Sequence, residues 1–414
     1  MLKNKKNKFY IILVIILFNT FVFNQEQELE LEIYTNPSGT DYWWLNNNNY
    51  GRTNSELLVG FSWDLKQEKT SYKLNFFGDI DSENKTYIGE SFIKHNFSKK
   101  TFLKIGRYYR DFSSYLNDEL SSGSMLISHN AEPMPKIGFV TSQKIKRLKK
   151  VDFKFGISHA VFDKNSSYTK SPLLHEKFIY MNIKNNDYRI GFGLVHEAMW
   201  AGATEELGNL PDSFKDFIKV FFSEDGEQME GDAHANALGN HLGIWDFFFE
   251  RGKNNKIIKF YYQHIFEDTS GLRLRNEIDG LWGIELKNYI PETTLLFEYL
   301  DTTHCCIDPP YVDDQYYDNY QYNLGWSYKN YTLGNAFISR LPFTTTKVLH
   351  FGLSGNILSY NYRLRASRKI DANDNINYRI DINKKIKENN SLNIFIINDI
   401  NGKNQLGIGM SRFF

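Results

Sequence analysis

The chain has 414 residues, with 49 Lys and Arg against 49 Asp and Glu, and a formal net charge of +0 at pH 7. It contains no basic tract, which argues against a nucleic-acid partner. Aromatic residues make up 16% of the chain although the mean hydropathy is only −0.48. This combination disfavours an ordinary soluble domain and favours strands in which every second residue faces an apolar medium.

The first 25 residues have the pattern of a secretory signal peptide. Four lysines between Lys3 and Lys8 precede an apolar run from Phe9 to Phe23, which is short for a membrane span. We predict that residues 1–25 are a cleaved signal and that residues 26–414 form one exported domain. An uncleaved anchor is the alternative.

Alternation of apolar and polar side chains recurs along most of the exported part. SYKLNFFG at 71–78 and INYRIDI at 376–382 are clear examples, and such alternation indicates strands with one apolar and one polar face. We therefore predict an all-β fold, a closed antiparallel transmembrane β-barrel of about 18 strands with short helices in its loops. Further runs lie at residues 27–35, 56–65, 86–97, 101–110, 151–162, 176–183, 187–197, 244–250, 256–265, 280–287, 294–302, 320–328, 347–355, 359–365, 392–396 and 404–414.

One segment has a helical pattern. PDSFKDFIKVFF at 211–222 starts with Pro211, which suits a first helical position, and carries Phe214, Phe217 and Phe221 at spacings of three and four. We expect this helix to pack over a barrel mouth or against a loop.

The chain ends in LGIGMSRFF, in which Leu406, Ile408 and Met410 keep one phase and Arg412 departs from it. A closing strand that ends in Phe is the usual signal by which barrel-assembly machinery recognises its clients. The ending therefore favours an outer-membrane barrel, inserted as a monomer among outer-membrane lipids.

The sequence offers no clear catalytic or metal-binding signature. The ten histidines are scattered without HExxH spacing, and no GxSxG nucleophile motif is present. The only cysteines are the neighbours Cys305 and Cys306, and adjacent cysteines rarely bridge. We predict no catalytic residue, metal or cofactor. A vicinal disulfide, a metal shared with His304 and Asp308, or a barrel hydrolase are the alternatives.

Charged residues on the predicted strands should face the lumen. If Trp245, Phe247 and Phe249 face lipid, then Asp246 points inward, and the same parity applies to later strands. These charges either brace the interior against each other or line a polar passage or a carbohydrate-binding rim. The sequence leaves the choice open.

Six sequence blocks resemble the capsule assembly protein Wzi family, particularly its versions from Bacteroidetes-type bacteria. The resemblance covers about residues 50–414 and rests on the order of the blocks. They are SMLISHNAEPMPKIGF (124–139), LPDSFKDFIKVFF (210–222), ALGNHLGIWDFFFE (237–250), YYQHIFEDTSG (261–271), GLWGIEL (280–286) and FEYLDTT (297–303).

The resemblance implies an outer-membrane barrel that acts as a non-catalytic surface lectin and holds exported capsular polysaccharide or exopolysaccharide on the cell. The best-known member is 18-stranded and also has a periplasmic helical bundle that plugs the barrel. Residues 26–54 of this chain do not resemble helices, so the sequence leaves open whether this barrel is plugged. A porin-like channel for small solutes is the alternative function.

The loop HCCIDPPYVDDQYYDNYQY at 304–322 is rich in Tyr and Asp. It is a candidate for contact with polysaccharide, since sugar rings stack on aromatic rings; a solvated loop whose tyrosines pack on each other is the alternative. The full set of candidate polysaccharide-binding residues is Asn240, His241, Asp246, Glu250, Glu285, Glu298, Arg363, Arg365, Tyr316 and Tyr317.

Overall fold

A computed structural model describes residues 27–35, 50, 57–79, 85–145, 147–148, 150–164, 167–226, 237–267, 269–305, 314–372, 375–387, 389–398 and 404–414. The predicted signal, residues 1–25, lies outside these ranges. The helices are α1 (Phe214–Phe222) and α2 (Thr269–Leu272). The strands are β1 (Gln27–Thr35), β2 (Leu57–Lys66), β3 (Thr70–Asp79), β4 (Thr86–Ile88), β5 (Ser91–Ser98), β6 (Thr101–Arg107), β7 (Pro135–Lys144), β8 (Val151–Val161), β9 (Leu173–Lys184), β10 (Tyr188–Trp200), β11 (Ala203–Thr204), β12 (Gly208–Asn209), β13 (Asn240–Lys253), β14 (Lys256–Phe266), β15 (Gly280–Lys287), β16 (Thr293–Asp301), β17 (Ser327–Tyr328), β18 (Tyr331–Thr332), β19 (Lys347–Ile357), β20 (Tyr360–Lys369), β21 (Asn377–Lys387), β22 (Asn390–Asn398) and β23 (Asn404–Phe413).

Eighteen of these strands form a closed antiparallel barrel, which confirms the predicted fold class. They are β1–β3, β5–β10, β13–β16 and β19–β23, and each pairs with the next in chain order. The barrel closes where β1 pairs with β23, with Glu30 opposite Phe413 and Ile33 opposite Met410. The short β4 pairs with β3 beside β5.

Side chains alternate between the lumen and the outer surface. On β13, Asp246 is buried, whereas Phe249 is exposed, and residues paired directly across strands share a face. The outward face is an apolar band of the kind that a barrel presents to lipid. Its exposed residues include Ile93, Ile105, Ile137, Phe139, Phe155, Ile157, Ile179, Phe192, Phe249, Phe260, Trp282, Ile284, Phe297, Leu349, Leu406, Ile408 and Met410.

The two ends of the barrel differ. Tight connections such as 185–187, 254–255 and 358–359 lie at one end, together with the last residue, whose N–H donates to Leu29 O. The connections 108–134, 201–239 and 302–346 lie at the other. We call these the short-turn end and the long-loop end; in outer-membrane barrels, long loops are extracellular.

Helix α1 begins at Phe214 because a capping box forms just before it. Ser213 Oγ accepts a hydrogen bond from Asp216 N at 3.2 Å, and Asp216 Oδ2 accepts one from Ser213 N at 2.9 Å. The helix packs on the outer wall rather than over the mouth, because its Phe217 ring lies 5.4 Å from the ring of His175 on β9. Neither helix of the described residues is long and apolar enough to cross a membrane.

Residues 320–328 are not the strand that their alternation predicts. Only Ser327 and Tyr328 pair, with Thr332 and Tyr331, and the large side chains Tyr322 and Trp326 are fully buried. Apolar residues recur there because the segment packs inside the barrel, a cause that periodicity alone does not reveal.

Candidate functional site

Two of the long connections fold back into the lumen. They are residues 108–134, between β6 and β7, and residues 314–346, which lead into β19. We call them the first and second plug segments. Their large side chains fill the barrel from within. The fully buried ones are Tyr108, Phe112, Leu120, Met125, Leu126, Tyr316, Tyr317, Tyr322, Trp326, Tyr328 and Phe337.

The two plug segments are bound to each other. Trp326 Nε1 donates to Leu126 O at 2.9 Å. Asn335 Nδ2 donates to Gly123 O at 2.9 Å and to Ser122 Oγ at 3.1 Å. Because these donors are buried and satisfied, the segments form one ordered unit rather than two independent loops.

Asp246, on the lumen face of β13, anchors the first plug segment. Its Oδ2 accepts a hydrogen bond from Ser113 Oγ at 2.6 Å, and its Oδ1 accepts one from the Tyr115 hydroxyl. The hydroxyl of Tyr180, on β9, also donates to Oδ2. Burial and the Asp246 charge raise the pKa of Tyr115 well above its usual value, which keeps this hydroxyl a donor.

Glu298, on β16, holds the same segment farther along. Its Oε1 accepts from Ser121 Oγ at 2.7 Å and its Oε2 accepts from the backbone N–H of Ser122 at 2.7 Å. The hydroxyl of Tyr261 also donates to Oε1. Two buried carboxylates on β13 and β16 thus meet hydroxyl and amide donors of the plug.

Side chains on β14 lie between these two anchors. Gln263 Oε1 accepts from Met125 N at 3.0 Å. Lys259 Nζ donates to Tyr115 O and to Glu285 Oε1, both at 2.8 Å. We call Asp246, Glu285 and Glu298 the acidic wall.

The arginines predicted from sequence lie on a different part of the lumen wall. Arg379 makes hydrogen bonds of 2.8 and 3.0 Å to Asp381 Oδ1, and Arg363 Nε lies 3.4 Å from Asp381 Oδ2. Arg363 Nη1 also lies 4.0 Å from Glu119 of the first plug segment. We call Arg363, Arg365, Arg379 and Asp381 the arginine wall; its ion pairs are mainly within β20 and β21.

Four more candidate residues lie apart from both walls. Tyr316 and Tyr317 are inside the second plug segment with no exposed surface, and Asn240 is buried on the lumen face of β13. Glu250 lies near the short-turn end, 3.4 Å from Arg189 Nη1. The structure therefore does not gather the ten candidates into one surface.

His241 lies at the rim of the barrel but on its outer face, beneath α1. Its Nδ1 is 2.9 Å from His196 Nε2, and its Nε2 is 2.9 Å from Leu238 O. It shares the outward parity of Trp245, so it faces away from the lumen.

A cavity of about 250 Å³ lies on the lumen side near the short-turn end. Tyr115 of the plug and Phe248 of the wall line it as a stacked pair, with ring centroids 4.6 Å apart. Its polar lining includes Asp152, Lys154 and Arg189. This cavity lies between the first plug segment and the wall.

Tyr320 is the exposed aromatic residue in the described part of the candidate loop, residues 304–305 and 314–322. It is 60% exposed, whereas Tyr322 is 1% exposed. Asn319 Oδ1 accepts from Gln321 N at 2.9 Å and from Tyr322 N at 3.2 Å, an Asx-type turn. Tyr320 is therefore presented to solvent by a turn whose far side is anchored in the plug.

Cys305 is buried and disulfide-bonded. Cys306 and Asp308 lie outside the described residues. The expectation that the adjacent cysteines do not form a disulfide is therefore wrong for Cys305.

Sequence reasoning selected the wall carboxylates but missed the plug residues that they hold, Ser113, Tyr115, Ser121 and Ser122. A usable signal exists: the connection between β6 and β7 is long and contains the small polar run SSGS at 121–124. Long ordered loops in compact domains are usually functional.

Comparison with known proteins identifies the family. The model of the family "Capsule assembly protein Wzi" matches residues 33–408. A solved structure of Wzi, described as an outer membrane protein involved in group 1 capsule assembly in Escherichia coli and as a carbohydrate-binding β-barrel, has a TM-score of 0.62. It is 14% identical, and the match covers 98% of this chain and 88% of that chain.

Two engineered variants of the Rhodopseudomonas blastica porin match less well, with TM-scores of 0.41 and 0.42 and identities of 9% and 8%. Each match covers 94% of this chain and 99% of the porin, and scores this low support no argument. No curated protein sequence matches the chain. Because the family model spans most of its length, the chain belongs to the capsule assembly protein Wzi family.

Proposed function

We propose that this protein is an outer-membrane lectin that binds capsular polysaccharide or exopolysaccharide non-covalently and retains it at the cell surface. One observation carries the proposal: the lumen is filled by two plug segments that are bonded to the wall and to each other. A filled barrel does not suit solute passage, but it supports a rigid surface at the long-loop end. Family membership and the carbohydrate binding named for Escherichia coli Wzi support the same role.

Tyr320 is the residue that we propose to contact the polymer directly. Sugar rings bind by stacking on aromatic rings. An aromatic ring on a rigid backbone binds more tightly than one on a mobile loop, because ordering the loop costs affinity. The turn at Asn319 and the buried Tyr322 fix the backbone on which Tyr320 stands. Arg340 adds rigidity nearby, because it donates to Leu324 O and Asn330 O, both at 2.7 Å.

The ten residues selected from sequence enter the proposal in two ways. Most are buried, so we propose that they act on polysaccharide binding indirectly, by holding the plug and the rim in place. Arg363 and Glu250, which are only partly buried, are proposed to stabilise the wall itself through their ion pairs with Asp381 and Arg189, because the filled lumen leaves the polymer no path to them.

The finer features of the proposal concern export and assembly. We propose cleavage of residues 1–25, a single barrel domain over 26–414, insertion by the barrel-assembly machinery, and a monomer in outer-membrane lipid. We further propose that the chain is of the Bacteroidetes-type variety and that its role is non-catalytic.

The decisive test is to delete the gene and measure polymer in cells and medium. We expect synthesis to continue and the polymer to appear in the medium, because retention, not production, is lost. Unchanged cell-bound polymer would contradict the proposal. Glycan arrays with purified protein would identify the ligand, and release of cleaved glycan would instead support a barrel hydrolase.

Tyr320→Ala tests the contact residue. We expect about a tenfold loss of affinity for the polymer, since an aromatic contact contributes on the order of 1 kcal/mol beyond its buried area. Tyr360→Ala is the matched control, because Tyr360 is an exposed tyrosine at the short-turn end. Equal affinity of the two variants would exclude Tyr320 from the binding surface.

A further inference from the structure

Three metal-binding side chains meet at the long-loop end, outside the plug contacts described above. Asp279 directly precedes β15, Asp301 ends β16, and His304 follows it by three residues; the pairing of Gly280 with Asp301 brings them together. His304 Nδ1 lies 3.2 Å from Asp279 Oδ1 and 3.8 Å from Asp301 Oδ1. Both carboxylates have no exposed surface, while the His304 side chain is 22% exposed.

These separations suit a small divalent transition metal. Zinc binds imidazole nitrogen at about 2.0–2.1 Å and carboxylate oxygen at about 2.0–2.2 Å, so its tetrahedral ligand atoms lie roughly 3.3–3.5 Å apart. The three ligand atoms all lie within 4.8 Å of one another. Shifts of a few tenths of an ångström up to about 1.5 Å would complete the geometry.

Each of the three side chains also has an atom that points away from the other two and lies near another polar group. Contacts of this kind orient metal ligands in other proteins. Tyr316 donates its hydroxyl to Asp279 Oδ2 at 2.7 Å, and Tyr299 donates its hydroxyl to Asp301 Oδ2 at 2.6 Å. His304 Nε2 lies 3.7 Å from Glu277 Oε2. A carboxylate behind a histidine and hydrogen bonds behind each carboxylate are the usual supports of a metal site.

A purely hydrogen-bonded cluster is the competing explanation. The N–H and hydroxyl of Thr303 donate to Asp301 Oδ1 at 2.9 and 2.7 Å, and Lys347 Nζ lies 3.5 Å from Asp301 Oδ2. However, the ion pairs among the described residues bring one lysine, Lys347, to a cluster that holds two fully buried carboxylates and Glu277. A divalent ion would neutralise this charge, and the Thr303 hydroxyl can rotate away from the oxygen that the ion needs.

We propose that Asp279, Asp301 and His304 bind a divalent transition metal ion, with zinc as the reference metal. Three protein ligands leave a coordination position open for water or another oxygen ligand. The ion joins the connection that precedes β15 to the one that follows β16, and through Tyr316 it reaches the second plug segment. The site does not depend on polysaccharide binding.

The test uses the full-length protein in detergent, purified without reductant because Cys305 is disulfide-bonded. The protein is stripped with chelator and dialysed against Zn²⁺, then metal content and the melting temperature are measured. We expect one zinc ion per chain and a higher melting temperature with zinc. The variants His304→Gln and Asp301→Asn should lose both effects.

Two controls keep the result interpretable. His95→Gln changes a partly buried histidine near the short-turn end, whose Nδ1 is 2.9 Å from Thr70 Oγ1, and it should bind zinc like the wild type. The heat-dependent gel shift of a closed barrel checks that each variant folds. We expect His304→Gln to keep this shift, because it alters a partly exposed side chain. Lack of stoichiometric zinc, equal zinc in His304→Gln and wild type, or a preference for Ca²⁺ over Zn²⁺ would overturn the proposal.

Discussion

The buried charges of the acidic wall and of the arginine wall have different kinds of bonding partner. Asp246 and Glu298 accept hydrogen bonds from hydroxyls and a backbone N–H of the first plug segment. Asp381, in contrast, is bonded to Arg363 and Arg379 on its own and the neighbouring strand. The first arrangement couples the wall to the plug, whereas the second completes itself within the sheet. The plug is therefore attached to the acidic wall and, through Asp111, to Lys104 on β6 and Lys154 on β8, whereas the arginine wall adds the 4.0 Å contact of Arg363 with Glu119.

Replacing Asp246 with Ala should produce the largest effect on the plug. The change leaves Ser113, Tyr115 and Tyr180 without their shared acceptor, and buried hydroxyls without partners cost about 1–3 kcal/mol each. A total of about 3–4 kcal/mol would raise the population of displaced plug roughly 10²–10³-fold, since each 1.4 kcal/mol is tenfold. Planar-bilayer recordings should show channel openings that the wild type lacks.

Asp381→Asn is the matched test on the arginine wall. It also removes a buried charge, so it should lower overall stability in urea by about 2–3 kcal/mol. It should not add channel openings, because Asp381 is bonded to Arg363 and Arg379 of the wall. Channel openings as frequent as in Asp246→Ala would show that both walls hold the plug. That result would contradict the difference proposed between the acidic wall and the arginine wall.

Asn335→Ala separates the two plug segments from each other rather than from the wall. It removes donors to Gly123 O and Ser122 Oγ and an acceptor for Phe337 N, a loss of about 2–3 kcal/mol. Residues 314–346 should exchange amide hydrogens faster, while residues near Ser113 stay protected by Asp246. Asn323→Ala, at an exposed position, is the control and should leave exchange unchanged.

The barrel was predictable because its strands separate two media. Apolar and polar residues must alternate when one face meets lipid and the other a polar lumen, and the runs at 27–35 and 280–287 coincide with β1 and β15. Strand β7 escaped prediction since its alternation begins at Pro135, a residue that usually interrupts strands. The run 320–328 was wrongly predicted to be a strand. Its tyrosines and Trp326 recur at that spacing because they pack inside the plug.

The plug and the site contacts were not predictable from local pattern. Asp246 and Tyr115 are 131 positions apart in sequence, and parity shows only that Asp246 faces inward, not what it meets there. The group of Asp279, Asp301 and His304 likewise has no sequence spacing of a metal motif; strand register creates it. Sequence thus indicates which face a residue occupies, while the partner depends on how the long loops fold.

The smallest expected effect concerns Asp118, which braces the first plug segment from within. Burial by itself would raise the pKa of Asp118, but Arg110, whose Nη2 lies 2.5 Å from Oδ1, and His129, whose Nε2 lies 3.7 Å from Oδ2, lower it below the usual 3.8. A native pKa below the unfolded one means that ionised Asp118 stabilises the plug above about pH 4 and that this stabilisation is lost as pH falls.

Asp118→Asn should therefore raise the frequency of channel openings about fivefold at pH 7, the equivalent of about 1 kcal/mol for a partly exposed ion pair. The difference between variant and wild type should shrink as the pH falls below about 4, and it should vanish once the pH is below the lowered pKa of folded Asp118, because Asp118 is then protonated in both folded and unfolded chains. Burial also lowers the pKa of His129, so acid weakens the plug in both proteins and only their difference reports on Asp118. A difference that persists at low pH would mean that the Asp118 side chain holds the plug by hydrogen bonding alone, independently of its charge.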